Sequence, residues 1–374
     1  MNRRRDNRPT RRPLIRHLAS AFLGVLLALP GFSQTFTEFE IPDFPNLPFR
    51  IAAGSDGALW FTDARSVYGL ADRIGRVTTK GEFSMFSIPT SNGQPLDISP
   101  GPDGNLWFTE QEANKIGRIT PSGAITEYSL PSANSGPRHI AVGPDGNLWF
   151  TEQRVRRIGR ITTGGTITEF DLPSDSIPDA ITVGPDGNLW FTDWVPRIGR
   201  MTPGGSVVEF ALPTSAQLPL GIASGLDGNL WFTEFDGHAI GRITPSGAIT
   251  EFPLAAPTKE PVDITRGPDG NMWFTERNFI GRITTGGQIT LFPVPLNLYN
   301  PLGITTGPDG ALWFTASGYG RIGRITTGAG IPATPTPIPS PSVPVSTLST
   351  FAKAVLAVGL VIAASQLLQN SASE

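Results

Sequence analysis

The sequence predicts an all-β fold, a seven-bladed β-propeller of four-stranded blades whose last blade is closed by the N-terminal strand. The motif Asp-Gly-x-Leu-Trp-Phe-Thr recurs seven times, with Met272 replacing leucine in the sixth copy. Its period of about 41 residues, with room for four short strands, is typical of propellers. The same slot holds seven of the eight tryptophans. They are Trp60, Trp107, Trp149, Trp190, Trp231, Trp273 and Trp313.

Each repeat is predicted to form four strands separated by glycine-rich turns. In the third unit these are an inner strand over His139–Val142, then Leu148–Glu152, Arg157–Thr162 and an outer strand over Thr166–Leu172. Turns such as Gly-Pro-Asp-Gly-Asn supply the glycine that positive φ angles favour. Because blades stack face to face, the strands are read as buried on both sides and the tryptophans as packing residues.

The register of the outer strands predicts how the ring closes. The outer-strand motif first appears at Thr37–Pro42, before the first tryptophan motif, and the last unit stops after Ile322–Thr326 without one. Thr35–Pro42 should therefore complete the blade that carries Trp313. Such closure removes the open sheet edges that would otherwise invite aggregation.

The repeated charged residues and glycines also have predicted roles. The glycine of each Ile-Gly-Arg segment is expected to lie beside a neighbouring tryptophan. The arginines of these segments are expected to form ion pairs with the acids that end the second strands, a ring of metal-binding acids being the alternative. The arginines are Arg76, Arg118, Arg160, Arg200, Arg242, Arg282 and Arg324, and the acids are Asp63, Glu110, Glu152, Asp193, Glu234 and Glu276.

Composition divides the chain into a propeller, residues 34–330, and three flanking segments. Residues 1–33 carry seven arginines and an apolar run, Leu18–Leu29, and are predicted to be an export signal. A proline-rich linker, 331–350, leads to an apolar segment, 351–374, predicted to be a membrane anchor or sorting segment, with a helix packed on the propeller as the alternative. The predicted location is periplasmic, cell-surface or secreted.

The bulk properties exclude several classes of function. The chain has no cysteine, which rules out disulfides, thiolate metal sites and a cysteine nucleophile. Its net charge is −3, and the basic residues beyond the leader are scattered, so no nucleic-acid partner is expected. The propeller is expected to be a monomer.

The repeat resembles the virginiamycin B lyase (streptogramin lyase) family across about residues 35–328. The resemblance is carried by Gly-Pro-Asp-Gly-Asn-Leu-Trp-Phe-Thr-Glu at 101–110, by Lys115–Thr120 and by Thr126–Pro131. It implies a seven-bladed propeller and an enzyme that opens cyclic depsipeptide antibiotics at an ester by elimination, without water. It also implies Mg²⁺ as the cofactor.

The resemblance implies catalytic histidines two residues before the inner-strand isoleucine of the last two blades, where this chain has Val262 and Leu302. Neither side chain can relay a proton or bind a metal, so no catalytic residue carries over. His139 is the remaining candidate, but it lies in the third unit and one residue out of phase, and a shift of one residue turns a side chain to the other face of a strand.

A binding site is predicted on the propeller face that carries the loops that vary between units, at the mouth of the central channel. Asp97 and Asp263 hold equivalent places and are expected to face each other across the axis, as candidate ligands of a cation or as solvated channel groups. Trp194 is a candidate for stacking on a ligand or for loop packing, and Tyr299, Asn300 and Tyr319 are further candidates. The candidate ligand-binding residues are Arg50, Asp97, Arg138, His139, Asp179, Trp194 and Asp263.

Two functions follow from these features. The missing histidines favour an exported propeller that binds a small molecule or a protein on its variable-loop face. The alternative is a magnesium-dependent carbon–oxygen lyase that opens a cyclic ester or depsipeptide, with His139 as the base.

Overall fold

A computed structural model describes residues 34–214, 217–255 and 260–326. These residues form seven four-stranded antiparallel sheets, and the inner strand of each sheet contacts the inner strands of both neighbours. The inner strand of the seventh sheet contacts that of the first, so the sheets form a closed ring. The predicted seven-bladed propeller is confirmed.

The blades follow one another along the chain, except that the first strand belongs to the last blade. The strands of blades 1 to 4 are β2 (Pro48–Ala53), β3 (Leu59–Asp63), β4 (Arg73–Val77), β5 (Phe83–Ser87); β6 (Pro95–Pro100), β7 (Leu106–Glu110), β8 (Lys115–Ile119), β9 (Ile125–Ser129); β10 (Pro137–Val142), β11 (Leu148–Glu152), β12 (Arg157–Ile161), β13 (Ile167–Asp171); and β14 (Pro178–Val183), β15 (Leu189–Asp193), β16 (Arg197–Met201), β17 (Val207–Ala211). Those of blades 5 to 7 are β18 (Pro219–Ser224), β19 (Leu230–Glu234), β20 (Ala239–Ile243), β21 (Ile249–Pro253); β22 (Pro261–Arg266), β23 (Met272–Glu276), β24 (Phe279–Ile283), β25 (Ile289–Pro293); and β26 (Pro301–Thr306), β27 (Leu312–Ala316), β28 (Arg321–Ile325), β1 (Phe36–Glu40). Two short 3-10 helices, Arg65–Tyr68 and Leu296–Leu298, lie in connecting loops.

The N-terminal strand closes the ring as the register predicted. β1 pairs antiparallel with β28, from Phe36 opposite Ile325 to Glu40 opposite Arg321. The ring of Phe39 stacks on Trp313 with centroids 5.2 Å apart, as outer-strand aromatic residues do on the tryptophans of the other blades. Blade 7 therefore has the same four-stranded sheet and the same aromatic stack as the blades whose strands are consecutive in the chain.

The repeated tryptophan is fixed by its own turn as well as by packing. The indole N–H of Trp149 donates to Oδ1 of Asp145 at 2.9 Å, and the ring stacks on Phe170 of its own blade. Trp149 also packs in one buried cluster with Ile181 and Phe191 of the next blade. The tryptophan thus joins blade to blade while its one polar atom stays satisfied.

The expected partner of the third-strand arginines is wrong. Arg76 binds the turn residue Asp56 at 2.6 Å and lies over the Trp60 ring, because Arg76 is directly opposite Trp60 in the ladder. The acid that ends the second strand is instead opposite the first residue of the third strand, as Asp63 is opposite Arg73. The ion pairs are therefore displaced by three residues from the prediction.

The expected role of the third-strand glycine is also wrong. Gly159 is directly opposite Phe150 of its own blade, and a Cβ built on Gly159 would lie 2.1 Å from Cζ of that phenylalanine. The glycine makes room for the buried phenylalanine rather than for a neighbouring tryptophan.

Replacing this glycine is expected to destabilise the ring. Gly159→Ala should lower the free energy of unfolding by about 1–3 kcal/mol, because Phe150 is enclosed and cannot retreat from the added methyl group. Urea unfolding followed by tryptophan fluorescence would measure the loss. Gly164→Ala is the control, since its Cβ would meet only the Thr162 hydroxyl at 3.7 Å, and an equal loss in both variants would contradict the packing role.

Three predicted segments lie outside the described residues, namely the export signal (1–33), the linker (331–350) and the apolar C-terminal segment (351–374). Within the described ranges, no helix is long and apolar enough to span a membrane.

Candidate functional site

The channel mouth is built on an irregularity shared by all seven inner strands. Each inner strand shifts register between its first proline and its isoleucine, as between Pro137 and Ile140 of β10. The residue before the isoleucine has no directly paired residue on the second strand, and its N–H donates to the threonine hydroxyl of that strand. These seven residues are Arg50, Asp97, His139, Ala180, Gly221, Asp263 and Gly303.

The second-strand threonine holds this irregularity and also joins the blades. Oγ1 of Thr151 accepts the N–H of His139 at 3.0 Å and donates to the carbonyl of Asp179 in the next blade at 2.7 Å. The same pair of bonds occurs at every blade, and Thr315 of blade 7 closes the circle on the carbonyl of Phe49 in blade 1. The sequence showed the threonine but not this role.

Four polar side chains at the mouth form one continuous network. Nη1 of Arg50 lies 2.8 Å from Oδ2 of Asp263, and Nη2 of Arg50 lies 3.3 Å from Nε2 of His139. Nδ1 of His139 lies 3.3 Å from Oδ2 of Asp97. Asp97 and Asp263 are thus not directly opposed; Arg50 and His139 lie between them in the network.

The hydrogen-bond chemistry of this network fixes the tautomer of a neutral His139. A guanidinium only donates, so Nε2 of neutral His139 must accept from Arg50, and Nδ1 carries the proton toward Asp97. Burial alone would raise the pKa of Asp97, but the electrostatic interaction and hydrogen bond of His139, the charge of Arg50 and the N–H of Ile140 outweigh it, and the pKa lies below its ordinary value. The pKa of Asp263 is raised, because burial outweighs the attraction of Arg50.

Two glycines among these seven residues let neighbouring blades approach closely at the mouth. A Cβ on Gly303 of blade 7 would lie 2.7 Å from Cα of Arg50 in blade 1. On Gly221 of blade 5 it would lie 2.9 Å from Cα of Asp263. The missing side chain at Gly303 therefore lets Arg50 lie close to blade 7 and reach Asp263 in blade 6.

A second polar pair lies beside the network. Arg138 forms an ion pair with the buried Asp179, and its guanidinium lies over the Trp194 ring, 5.1 Å from the centroid. The indole N–H of Trp194 is buried and has no hydrogen-bond partner in the described part of the chain. Trp194 is therefore covered by Arg138 on one face rather than open on both.

The remaining sequence candidates separate into structural and exposed residues. The hydroxyl of Tyr299 accepts a hydrogen bond from Nε of Arg277, and the amide of Asn300 donates to the Ser317 hydroxyl, so both hold loops. Tyr319 is exposed on the variable-loop face. The loops of blades 7 and 1 on this face also expose other apolar side chains that sequence reasoning missed, namely Phe44, Val67, Leu70 and Leu296.

The mouth does not fit Mg²⁺ as it is arranged. Oδ2 of Asp97 accepts the N–H of Ile140 and faces His139, while Oδ2 of Asp263 accepts the N–H of Ile304 and faces Arg50. The described residues contain no group of three or more histidines and acids that could hold a metal ion. A hard cation would have to displace Arg50 and His139 from the carboxylates.

A separate set of acids lies buried where the second strands end. Both carboxylate oxygens of Glu110 and of Glu234 lack a hydrogen-bond partner among the described residues. Burial, followed by the charge of Glu127, raises the pKa of Glu110 to about 8. Burial, followed by Glu251, raises the pKa of Glu234 to about 8, and burial raises that of Glu152 to about 7.

Comparison with known proteins gives a single consistent result. The chain matches the Virginiamycin B lyase family over residues 32–196 and 195–345. A solved streptogramin B lyase is 40% identical over 78% of this chain and 97% of its own, with a TM-score of 0.74. Virginiamycin B lyase from Staphylococcus aureus is 40% identical over 79% and 99% of the two chains, with the same TM-score.

A third match is a catalytically inactive histidine-to-alanine variant of the Staphylococcus aureus enzyme with quinupristin, 39% identical over 79% of this chain and 99% of its own, with a TM-score of 0.74. No curated protein matches the chain.

Proposed function

Because the chain belongs to the virginiamycin B lyase family, we propose that it binds a ligand at the channel mouth on its variable-loop face without opening that ligand by histidine chemistry. The ligand class that the family suggests is a cyclic peptide or depsipeptide. Its polar groups would meet Arg50, Asp97, His139 and Asp263, and its apolar groups would meet the exposed side chains around blades 7 and 1.

The observation that carries this proposal is the engaged state of His139. A general base needs a free nitrogen lone pair within reach of the proton that it removes. The Nε2 lone pair of His139 faces Arg50, and the two positions where the resemblance implies histidines hold Val262 and Leu302. Val262 and Leu302 contribute backbone carbonyls to the threonine bonds between blades, which is a structural task.

A lyase remains the second candidate, favoured by the contact between His139 and Asp97. A carboxylate on Nδ1 orients an imidazole and raises its basicity at Nε2, as in catalytic pairs. For this function Arg50 would have to leave Nε2 when substrate enters. The lyase therefore requires a rearrangement that the binding function does not.

Quinupristin is the direct probe of the choice between the two functions. The full chain with Mg²⁺ is expected to leave quinupristin intact by liquid chromatography and mass spectrometry, under conditions in which the Staphylococcus aureus enzyme linearises its antibiotic substrate. The binding proposal would be overturned by linear product that disappears in His139→Ala.

Binding itself is tested by native mass spectrometry of the purified full chain. A retained small molecule should be lost in Arg50→Ala and kept in Arg324→Ala, since Arg324 binds the turn residue Asp309 on the opposite face. A ligand that both variants retain would place the site elsewhere.

A further inference from the structure

Blade 5 lacks a positive charge that most blades have. The first residue of the third strand is basic in five blades, where it contacts the acids of its own blade; these residues are Arg73, Lys115, Arg157, Arg197 and Arg321. Blade 6 has Phe279 at this position, and there the outer-strand acid is also replaced, by Leu291. Blade 5 has Ala239 but keeps both acids, Glu234 and Glu251.

Blade 2 shows where the missing charge would lie. Nζ of Lys115 is 2.8 Å from Oε2 of Glu127 and 2.6 Å from the Thr90 hydroxyl. The equivalent residues of blade 5 are Glu251 and Thr214, whose hydroxyl lies 3.1 Å from Oε2 of Glu251. The hydroxyl and carboxylate that receive the ammonium group in blade 2 are thus retained, and the ammonium group is not.

The other acid of blade 5, Glu234, lies on the same face of the sheet as Glu251. Glu234 is 0% exposed, and neither of its carboxylate oxygens has a hydrogen-bond partner among the residues that the structure describes. Oε1 of Glu234 lies 2.7 Å from where a Cβ of Gly241 would be, and Gly241 is directly opposite Glu251 in the ladder. The two carboxyl groups therefore converge over a glycine.

Gln217 adds an independent buried oxygen. Its Nε2 donates to Oε1 of Glu251 at 3.4 Å, so the amide borders the cluster, and it would have to turn its oxygen toward the two carboxylates to bind a cation. Gln217 is 6% exposed, and its Oε1 has no hydrogen-bond partner within the described ranges. Buried oxygens without donors are costly unless something positive or protonated meets them.

We propose that Glu234, Glu251, Gln217 and Thr214 bind a hard divalent cation, of which Ca²⁺ is the best fit, in the place that Lys115 occupies in blade 2. Two carboxylates, one amide oxygen and one hydroxyl supply up to six oxygens of the kind that Ca²⁺ prefers. The flexible geometry of Ca²⁺ suits ligands drawn from two strands and a loop better than the strict octahedron of Mg²⁺. The site lies between the second and outer strands of blade 5, apart from the channel mouth.

Thermal unfolding of the full chain, stripped with EDTA and titrated with CaCl₂ at pH 8, tests the site. Above the Kd the Tm should rise with the logarithm of the Ca²⁺ concentration, by about 5 °C at a concentration about 100 times the Kd. Isothermal titration of the stripped full chain with CaCl₂ should show one Ca²⁺ bound per chain.

Two variants and one matched control identify the ligands. Glu234→Gln should weaken Ca²⁺ binding at least about tenfold. Ala239→Lys should abolish the Ca²⁺ response while keeping the Tm in EDTA at or above that of the wild type, since the new ammonium group would occupy the site. Glu152→Gln, the same acid position in blade 3 where Arg157 is present, should leave the response unchanged.

Several outcomes would overturn the proposal. One is a wild-type Tm that changes with pH but not with Ca²⁺, which would mean that the two acids hold only a proton. Another is an Ala239→Lys variant that still responds to Ca²⁺, which would place the ion elsewhere.

Discussion

Removing residues 35–42 is expected to prevent the propeller from folding as a closed ring. The deletion takes away β1, exposes the whole edge of β28 and removes the stack of Phe39 on Trp313 together with the buried side chain of Ile41. An unpaired edge of this kind pairs with other chains. Size-exclusion chromatography with light scattering should show unfolded protein, or assemblies larger than those of the full chain.

A synthetic peptide of residues 35–42 is the control for this deletion. If the strand acts by closing blade 7, the peptide added in excess should restore part of the folded protein and raise its Tm. Phe39→Ala should give a milder effect, a loss of about 2 kcal/mol, because it removes only the stacking ring. A deletion variant that elutes like the full chain with an unchanged Tm would contradict the closure model.

Replacing the buried acid Glu110 with glutamine is expected to stabilise the protein progressively as the pH rises. The folded-state pKa of Glu110 is about 8, against 4.5 for the exposed group, so the folded state holds its proton longer than the unfolded state. Between these two values each rise in pH costs stability, and above pH 8 the full cost is reached, at most about 5 kcal/mol. Glutamine, which has no charge, avoids that cost.

The comparison should be made by urea unfolding between pH 5 and pH 9. At pH 5 the variant and the wild type should differ little, and the advantage of Glu110→Gln should grow with pH. Glu127→Gln is the matched control with the opposite sign, because burial of Glu127 is outweighed by Lys115 and Thr90, and the pKa of Glu127 is lowered. A constant difference between Glu110→Gln and the wild type across this range would rule out the buried ionisation.

The fold could be predicted because the same four-strand sequence pattern recurs seven times. The repeated tryptophan motif gave the number of blades. The outer-strand motif Thr37–Pro42 precedes the first tryptophan motif, and the last repeat has no outer strand, so Thr37–Pro42 had to complete that repeat. These inferences use only order and periodicity, which a sequence contains in full.

Pairing between side chains was predicted less well. Trp60 stands opposite Arg76 in the ladder, so Arg76 reaches the turn residue Asp56. The acid expected to bind Arg76, Asp63, instead binds Arg73, three residues earlier on the same strand. The predicted strands did not determine which acidic side chain lies within reach of each arginine.

The candidate site was predicted in position but not in arrangement. Arg50, Asp97, His139 and Asp263 could be placed at the mouth because they precede inner-strand isoleucines. That Arg50 reaches Asp263 across blade 7 depends on the gap left by Gly303, and that His139 separates the two acids depends on side-chain reach. The unpartnered state of Glu234 likewise became visible only when its surroundings were known.

The threonine bonds that link successive blades have a consequence for how this surface can change. Each bond runs from a threonine hydroxyl to the backbone on either side, so none involves the side chain that precedes the isoleucine. Those seven positions already hold arginine, histidine, alanine, two aspartates and two glycines on one backbone shape. At the five of these positions that carry side chains, the ligand preference of the mouth can therefore change one residue at a time without altering the bonds between blades, whereas Gly221 and Gly303 leave no room for a Cβ.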